Sequence, residues 1–301
     1  MTESNLPSWR PGATRDAITE FLDATESVPI PDRVAYFDND GTLWCERPNY
    51  VQLEFFLDAL RHRVSEDPAA ANQPEFAALL TGDATAMGSL GLERIALALA
   101  GLFAELTPDD FTSRVRDYMA EAKHAALDRP VRTLRYQPML ELIDELRRRH
   151  FTVGVVTGGG TEFVRAISQD YYGVPPELVV GTLVAYDLDT GDSGPALRRT
   201  NRVLGDANEG AAKVTNIQSH VGRAPILAAG NSGGDREMLE WACAGAGPRL
   251  ALLVDHDDGE REYAYVSKAE TFEEAEPITE VASRGGWTVV SMARDWDVVF
   301  S

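Results

Sequence analysis

The stretch RVAYFDNDGTLW, residues 33–44, places two aspartates directly after an apolar run. RVAYFD (33–38) is predicted to form a buried β-strand that ends on Asp38, and Asp40 follows two residues later. An aspartate at a strand exit is ionised at neutral pH and can attack an electrophile, while a second carboxyl group can exchange protons with the reacting oxygens. Both can also bind a hard divalent cation, which prefers oxygen ligands. The alternative interpretation is an Asx turn at residues 39–41 that only closes the strand.

Apolar segments alternate with helical patterns along much of the chain, which is typical of a parallel sheet covered by helices. Three further strands are predicted, each ending in small or polar residues: 151–157, 224–231 and 249–255. Helices are predicted around them at 14–25, 137–150, 161–173, 208–222 and 234–245. Residues 178–194 have the pattern of a β-hairpin with its turn at Asp189–Gly194. The sequence therefore predicts an α/β fold: a Rossmann-like parallel sheet with helices on both faces.

A long segment between the first two strands has no strand signal. Helices are predicted there at 49–62, 89–106 and 107–126. The last of these opens with Thr107 as N-cap, a proline at the first helical position and two acids in the first turn. We expect an inserted all-helical cap domain and a two-part core, with the cap at 45–128 and the core at 1–44 and 129–301.

The carboxyl ends of parallel strands meet at one edge of a sheet, so other polar strand ends are expected beside Asp38, including that of Asp255. VVTGGGT (155–161) joins a strand end, the Thr157 hydroxyl and a glycine run that leads into a helix. Backbone N–H groups and a helix N-terminus in this arrangement can bind an anion. The alternative is a tight turn in which Thr161 caps the helix.

Two further features complete the pattern at this edge. Lys213 is one of only three lysines among 28 basic residues, and its compact charge can bridge a carboxylate and a phosphate. The more ordinary interpretation is a solvated surface charge. In AGNSGGDREML (229–239), Asn231 and Asp235 flank a glycine-rich loop and could contribute to a Mg²⁺ site, although Asp235 could also serve only as a helix N-cap.

In order and spacing, these motifs resemble the four motifs of the haloacid dehalogenase (HAD) superfamily over roughly residues 33–255. The first, Asp38-x-Asp40-Gly41-Thr42, is the most specific, and its second aspartate resembles the phosphatase version. The helical segment before the second motif resembles the cap of the phosphoserine-phosphatase-like branch, and the predicted hairpin also fits that branch. The resemblance implies a HAD-type phosphatase, a Mg²⁺-dependent hydrolase of phosphomonoesters.

The resemblance also implies a role for each motif residue. Asp38 would attack phosphorus to form an aspartyl-phosphate, and Asp40 would act as general acid and then as general base. Thr157, Gly158 and Lys213 would bind the phosphoryl oxygens, with Thr157 and Lys213 counted among the catalytic residues. The implied metal site contains the Asp38 carboxylate, the Asp40 carbonyl and the fourth-motif residues Asn231 and Asp235.

The fourth motif departs from the family pattern, because Asn231 stands where an acid commonly follows the glycine. The preferred interpretation is direct ligation by Asn231 with Asp235 holding a metal-bound water, and the reverse assignment stays open. Since one negative charge is missing, we expect metal affinity to be weaker than is usual for this family.

Three other functions compete with a phosphatase. Gly230-Asn231-Ser232-Gly233-Gly234 satisfies the G-x-S-x-G pattern of a serine hydrolase, but the only histidine downstream is His256. A non-catalytic phosphate- or metal-binding module would need the same motifs without turnover. A phosphotransferase or mutase would use the same intermediate and pass the phosphoryl group to another alcohol.

Composition limits the partners. The net charge of −20 argues against nucleic acid and against anionic membrane surfaces, and the sequence has neither a signal-peptide pattern nor a membrane-length apolar run. A cytoplasmic enzyme acting on a small phosphorylated metabolite is expected, and its two cysteines are expected to be buried or partly buried thiols. The residues considered for substrate contact, each with a surface or ion-pair alternative, are Glu46, Arg47, Arg132 and Arg135. The segment after Asp255 is predicted to add a sheet edge and helices without a recognisable motif.

Overall fold

The computed structural model describes residues 6–191 and 194–301 of the 301-residue chain. Its centre is a seven-stranded sheet in the order β4-β3-β2-β1-β5-β6-β7, parallel except where β4 pairs with β3. The strands are β1 (Val34–Asp38), β2 (Thr152–Gly160), β3 (Val179–Asp189), β4 (Ala196–Leu204), β5 (Leu227–Gly230), β6 (Leu250–Asp255) and β7 (Thr288–Ser291). The predicted α/β class with a mainly parallel sheet is confirmed.

Helices cover both faces of the sheet. The α-helices of the described residues are α1 (Ala13–Ala24), α2 (Val51–Glu66), α3 (Pro74–Thr81), α4 (Ala84–Leu90), α5 (Leu92–Gly101), α6 (Pro108–Glu121), α7 (Gln137–Arg148), α8 (Thr161–Tyr172), α9 (Ala211–Val221), α10 (Arg236–Cys243), α11 (Ile278–Gly285) and α12 (Met292–Asp295). Side chains of β1 alternate between two apolar clusters: Ala35 and Phe37 belong to one, Val34 and Tyr36 to the other. Because both faces of β1 are covered, all five of its residues are buried and the strand is apolar up to Asp38.

The helical insert, α2 to α6, lies between β1 and β2 as expected. The predicted helix at 89–106 is wrong in extent: the chain breaks at Gly91, whose positive φ of 83° interrupts the helix between α4 and α5. Thr107 caps α6 in a capping box, but α6 ends at Glu121 rather than 126. The domain division at 45–128 stays a prediction.

The insert shares an apolar core with the sheet. Phe55 of α2 stacks on Phe103 with ring centroids 4.9 Å apart, and it lies 6.0 Å from Phe111 of α6 and 5.4 Å from Phe163 of α8. These residues and β-strand side chains such as Phe37 belong to one continuous buried cluster. The contact between Phe55 and Phe163 therefore joins the insert to a helix that packs on the sheet.

The predicted hairpin is present but longer than expected. β3 alone extends to Asp189, and its antiparallel partner β4 lies beyond the predicted range of 178–194. The sequence pattern does not predict β4, because this strand is rich in arginine. Arg199 is buried in an ion pair with Glu162 at 2.9 Å, at a position where a strand pattern would have an apolar residue. Residues 192 and 193 of the predicted turn lie outside the described residues.

The C-terminal segment supplies the edge strand β7 and helix α11, as the sequence predicts. The segment that precedes α11 and β7, residues 256–276, crosses the carboxyl ends of the strands. The sequence does not predict this path. Both cysteines are free, Cys45 buried and Cys243 half-buried. Within the described residues, none of the helices combines the length and apolar character needed to cross a bilayer.

Candidate active site

The polar strand ends meet at one edge of the sheet, as predicted. Asp38 ends β1, which is paired with β2 just before Thr157 and with β5 just before Asn231. Helix α9 presents Lys213 to the same place: its Nζ lies 2.6 Å from Asp38 Oδ1 and 2.6 Å from Asp235 Oδ1. Residues far apart in sequence thus form one buried charged group.

Lys213 is a buried ion-pair residue and not a solvated surface charge, since its exposed fraction is only 3%. Burial opposes its charge, but Asp235 and Asp38 outweigh that effect and raise its pKa. Burial and the neighbouring Asp235 raise the pKa of Asp38, and Lys213 partly offsets both. The lysine therefore stabilises an ionised Asp38 in a place where burial disfavours the carboxylate.

The Asp40 carboxyl group has a different environment. Its Oδ1 accepts a hydrogen bond from Trp44 Nε1 at 2.8 Å, and its Oδ2 accepts one from Asn39 Nδ2 at 3.1 Å. Burial raises the pKa of Asp40 above its ordinary value, against the lowering effect of these two donors. A carboxyl group with a raised pKa suits proton donation near neutral pH. Because the Asn39 side chain bonds Asp40 and Tyr172, it does not form the Asx turn considered as the alternative.

Asp235 organises the loop after β5. Its Oδ2 accepts hydrogen bonds from the backbone N–H groups of Asn231 at 3.0 Å and Ser232 at 3.1 Å, while Oδ1 pairs with Lys213. Its side chain makes no capping bond to α10, so it is not the simple N-cap considered above. Both oxygens of Asp235 therefore have partners within the chain.

The amide of Asn231 has a fixed orientation. Its Nδ2 donates to Glu46 Oε1 at 3.3 Å and to Ser267 Oγ at 3.2 Å, and its Oδ1 accepts from Thr42 Oγ1 at 3.4 Å. Gly41, at a positive φ of 71°, leaves room for this amide, because a Cβ there would lie 2.0 Å from Asn231 Nδ2. The side-chain oxygen of Asn231 is therefore directed away from Glu46 and Ser267.

The oxygen donors at this edge fit a magnesium ion. In the described part of the chain, no three His, Cys, Asp or Glu side chains form a cluster that could hold a metal. The ligand set predicted from the sequence, which includes the Asp38 carboxylate, the Asp40 carbonyl and the Asn231 amide oxygen, stays a prediction. This is a set of hard oxygen donors with few charges, as suits an ion that retains several of its water ligands.

The glycine run that ends β2 is held by residues that the sequence does not single out. Thr157 Oγ1 accepts from Gly159 N at 3.0 Å, and Asn208 Nδ2 donates to Thr157 O at 2.9 Å. Gln52, from α2 of the insert, accepts from Gly160 N at 2.9 Å. Helix α8 begins directly after this glycine run. Thr161 bonds Thr182 O instead of capping the helix, so the N-cap alternative is wrong.

The segment 256–276 supports both loops of the site, which sequence reasoning missed. His256 lies 2.8 Å from Gly41 O through Nε2, and Tyr265 donates to Glu46 Oε1 at 2.7 Å. Glu274 accepts from Gly233 N at 3.2 Å. One signal could have pointed here: His256 directly follows β6, at the edge where the other strand ends meet.

The residues considered for substrate contact divide into two groups. Arg132 and Arg135 donate to backbone carbonyls, of Ala120 at 3.1 Å and Tyr171 at 2.8 Å. Glu46 is buried beside Asn231, and the Arg47 guanidinium lies 4.3 Å from the centre of the Tyr265 ring. Glu46 thus contacts Asn231 directly and Arg47 contacts Tyr265, which bonds Glu46, whereas Arg132 and Arg135 bind backbone carbonyls.

The serine of the G-x-S-x-G pattern has a structural role. Ser232 Oγ accepts from Gly234 N at 3.2 Å in a capping arrangement with Asp235. His256 has its ring nitrogens directed at Gly41 O and at Glu262, 3.3 Å away through Nδ1. The histidine required by a serine hydrolase is therefore engaged elsewhere.

The family model of haloacid dehalogenase-like hydrolases matches residues 35–240, from β1 into α10. The chain belongs to this family. The match includes Asp38, Asp40, Thr157, Lys213 and Asn231, so the resemblance stated from the sequence is confirmed at family level. Among curated proteins, none matches this member of the family.

Solved structures share the fold at low identity. A conserved, functionally unknown protein from Anaerococcus prevotii DSM 20548 is 15% identical with a TM-score of 0.56, covering 91% of this chain and 90% of its own. A protein of unknown function from Bordetella pertussis Tohama I is 18% identical with a TM-score of 0.50, covering 86% and 97%. A phosphoserine phosphohydrolase-like protein from Francisella tularensis subsp. tularensis SCHU S4 is 15% identical with a TM-score of 0.41, covering 87% and 95%.

Proposed function

We propose that this HAD-like hydrolase is a Mg²⁺-dependent phosphatase that hydrolyses a small phosphomonoester through an aspartyl-phosphate on Asp38. The observation that carries the proposal is the position of Lys213, 2.6 Å from both Asp38 and Asp235, beside a second aspartate at position 40. A buried lysine that partly offsets the cost of ionising a carboxylate at a strand end has the chemistry to pair a nucleophile with an anionic substrate.

The proposed reaction has two steps. Asp38 Oδ attacks phosphorus and forms an O–P bond, while the bond to the alcohol breaks and Asp40 gives its proton to the leaving oxygen. A water then gives a proton to Asp40 and attacks the phosphoryl group, which releases inorganic phosphate and restores the Asp38 carboxylate. Phosphoryl transfer depends mostly on positioning and charge neutralisation. Thr157, the Gly158 amide and Lys213 would supply these at the phosphoryl oxygens.

The metal site of this proposal uses Asp38, the Asp40 carbonyl and Asn231, with Asp235 arranging the loop that carries Asn231. When bound, Mg²⁺ would neutralise phosphate charge. With Asn231 in place of an acid, we expect weak metal affinity, and saturation of activity at low micromolar Mg²⁺ would count against this assignment.

A small substrate is proposed because the helical insert lies against the site. Gln52 of α2 accepts a hydrogen bond from the Gly160 amide, so the predicted cap (45–128) adjoins the glycine run at the end of β2, which would bind the phosphate. A cap so placed can limit substrate size and exclude water during the reaction. The likeness to phosphoserine phosphohydrolase-like structures shows only the fold, so the substrate is to be identified with a panel of phosphorylated metabolites.

Transfer to another alcohol is the competing function, because it uses the same Asp38 intermediate. Adding glycerol during turnover separates the two outcomes. A hydrolase releases phosphate in step with alcohol, whereas a phosphotransferase releases less phosphate than alcohol and forms glycerol phosphate. A non-catalytic module would bind phosphate and release none.

The proposal is tested by phosphate release from p-nitrophenyl phosphate. We expect activity that requires Mg²⁺ and falls at least about a thousandfold in Asp38→Asn, which keeps the shape of the side chain but removes the nucleophile. Asp117→Asn, at an exposed position on α6, is the matched control and should retain wild-type activity. Full activity in Asp38→Asn, or none in the wild type over the panel, would refute the proposal.

A further inference from the structure

Trp44 holds the Asp40 carboxyl group, and the reaction outlined above gives it no role. Its indole Nε1 donates to Asp40 Oδ1 at 2.8 Å, and an indole N–H is a donor only. The hydrogen bond therefore requires that a lone pair of Asp40 Oδ1 face the indole N–H. A group that must give and take a proton at one place benefits from such a fixed partner.

The ring of Trp44 is itself fixed. Its exposed fraction is 1%, and it makes edge-on contacts with Tyr171 and Tyr172, with ring centroids 6.3 and 6.4 Å apart. The Trp44 backbone also pairs with those of Asp40 and Arg135. The indole N–H thus has one available direction, toward Asp40.

The other oxygen of Asp40 is held by a second chain of hydrogen bonds. The Tyr172 hydroxyl donates to Asn39 Oδ1 at 2.9 Å, which obliges the Asn39 amide to turn Nδ2 toward Asp40 Oδ2 at 3.1 Å. Tyr172 is buried on α8, where it bonds Asn39 and also contacts the ring of Trp44. Both partners of Asp40 are therefore held by Tyr172. The carboxyl plane is set from two sides.

We propose that Trp44 is a positioning residue for proton transfer by Asp40, supported by the Tyr172–Asn39 pair; this inference rests on the proposed function. In the first step, Asp40 loses a proton to the leaving oxygen and becomes a carboxylate. A hydrogen bond from a donor-only group is stronger to a carboxylate than to a carboxylic acid. The contact with Trp44 therefore strengthens as the proton leaves, which helps the departure of an alcohol that must be protonated.

Leaving groups that differ in basicity give the test. The kcat/KM of Trp44→Phe is measured with p-nitrophenyl phosphate, whose leaving group departs without a proton, and with ethyl phosphate, whose leaving group needs one. The parameter kcat/KM covers the steps up to alcohol release, so the later reaction with water does not enter it. We expect a loss of about tenfold with ethyl phosphate and less than about twofold with p-nitrophenyl phosphate. A general loss of structure would lower both values together.

Trp9→Phe is the matched control. Trp9 is also 1% exposed, and its Nε1 donates to Pro138 O at 2.9 Å, away from Asp40. Its ratio of the two kcat/KM values should equal that of the wild type. Tyr172→Phe should show the same selective loss as Trp44→Phe, to a smaller degree, and it decides the matter if Trp44→Phe does not fold.

The outcomes separate the inference from the function on which it rests. An unchanged ratio in folded Trp44→Phe, or an equal change in Trp9→Phe, overturns the role of Trp44 while leaving the phosphatase intact. If Trp44→Phe does not fold, an unchanged ratio in Tyr172→Phe overturns it. Activity that survives Asp38→Asn, or a wild type without phosphatase activity, removes the proposed function and this inference with it.

Discussion

At the scale of single residues, hydrogen bonds decide which atoms face the candidate reaction centre. Asp38, Asp40 and Thr157 could be found from the sequence because they lie in recognisable strand-end motifs, and Lys213 because lysine is rare in this chain and the family resemblance implies one. The partners that orient them could not, since their contacts span long stretches of chain: Ser267 reaches Asn231, and His256 reaches Gly41. Their residue types are ordinary, and only the folded chain brings them to the site.

Asn231→Asp tests the missing charge of the fourth motif. The change removes the two bonds that Nδ2 donates and places a carboxylate beside Glu46 Oε1, now 3.3 Å from the amide nitrogen. In EDTA we expect the free energy of unfolding, measured by urea titration, to fall by about 2 kcal/mol. With Mg²⁺, the added charge should lower the concentration at half-saturation and increase the metal-dependent rise in Tm.

Glu46→Gln provides the control in the Asn231→Asp background. It removes the repulsion between the two carboxylates, so it should restore most of the stability lost in EDTA. If Asn231→Asp binds Mg²⁺ no more tightly than the wild type, Asn231 does not ligate the metal.

At the scale of elements, prediction from sequence succeeds where burial is uniform. The central strand β1 and its neighbour β2 are apolar on both faces, so their runs are unmistakable. Prediction from sequence fails for β4, because its residue Arg199 is charged and yet buried. The Arg199 guanidinium lies 4.1 Å from the centre of the Phe111 ring. Prediction also fails at Gly91, because a single glycine within a helical pattern does not by itself indicate a break.

Phe55→Ala tests whether the helical insert unfolds together with the sheet. Phe55 is 3% exposed and contacts aromatic rings of both the insert and α8. We expect the free energy of unfolding to fall by about 3 kcal/mol, with a single transition seen by both fluorescence and circular dichroism.

Leu92→Ala is the matched control within the same insert, since Leu92 is 65% exposed and its truncation should change stability by less than about 0.5 kcal/mol. Two separate transitions in Phe55→Ala, with the sheet retaining its wild-type midpoint, would show that the insert is energetically independent of the core.

At the scale of the whole molecule, the acidic residues that give the charge of −20 are distributed unevenly along the chain. Residues 255–280 contain ten acids and two basic residues, and this acidic segment includes the part that crosses the strand ends. The sequence predicts the imbalance but not its location, because its position depends on the path of the chain after β6. A metal-free site of this kind has several buried carboxyl groups close together and one buried lysine among them.

This arrangement gives the metal-free protein a definite pH dependence. Burial raises the pKa values of Asp38, Asp40 and Glu46, so the folded state binds more protons than the unfolded state above about pH 4. Stability should therefore fall as pH rises through the window between the unfolded and folded pKa values. Glu262 acts in the opposite direction: despite burial, its bond with His256 lowers its pKa, so its contribution is lost only as pH falls below about 4.

We expect urea unfolding in EDTA to give a higher free energy of unfolding at pH 5.5 than at pH 7.5. Glu46→Gln, which removes one of the titrating groups, should reduce the difference, and saturating Mg²⁺ should reduce it further by neutralising the site. A metal-free protein that is more stable at pH 7.5 would contradict the assignment of these carboxyl groups as buried and unfavourably charged.

The central position of β1 in the sheet has a consequence for folding during synthesis. The strand that carries Asp38 is synthesised before its two partners, which begin at residues 152 and 227, and before His256, which supports its loop. Contacts so distant along the chain form late in folding. A nascent chain that already contains the first motif should therefore have no working site until the chain up to His256 has left the ribosome, and its apolar strand β1 has to be kept from other partners in the meantime.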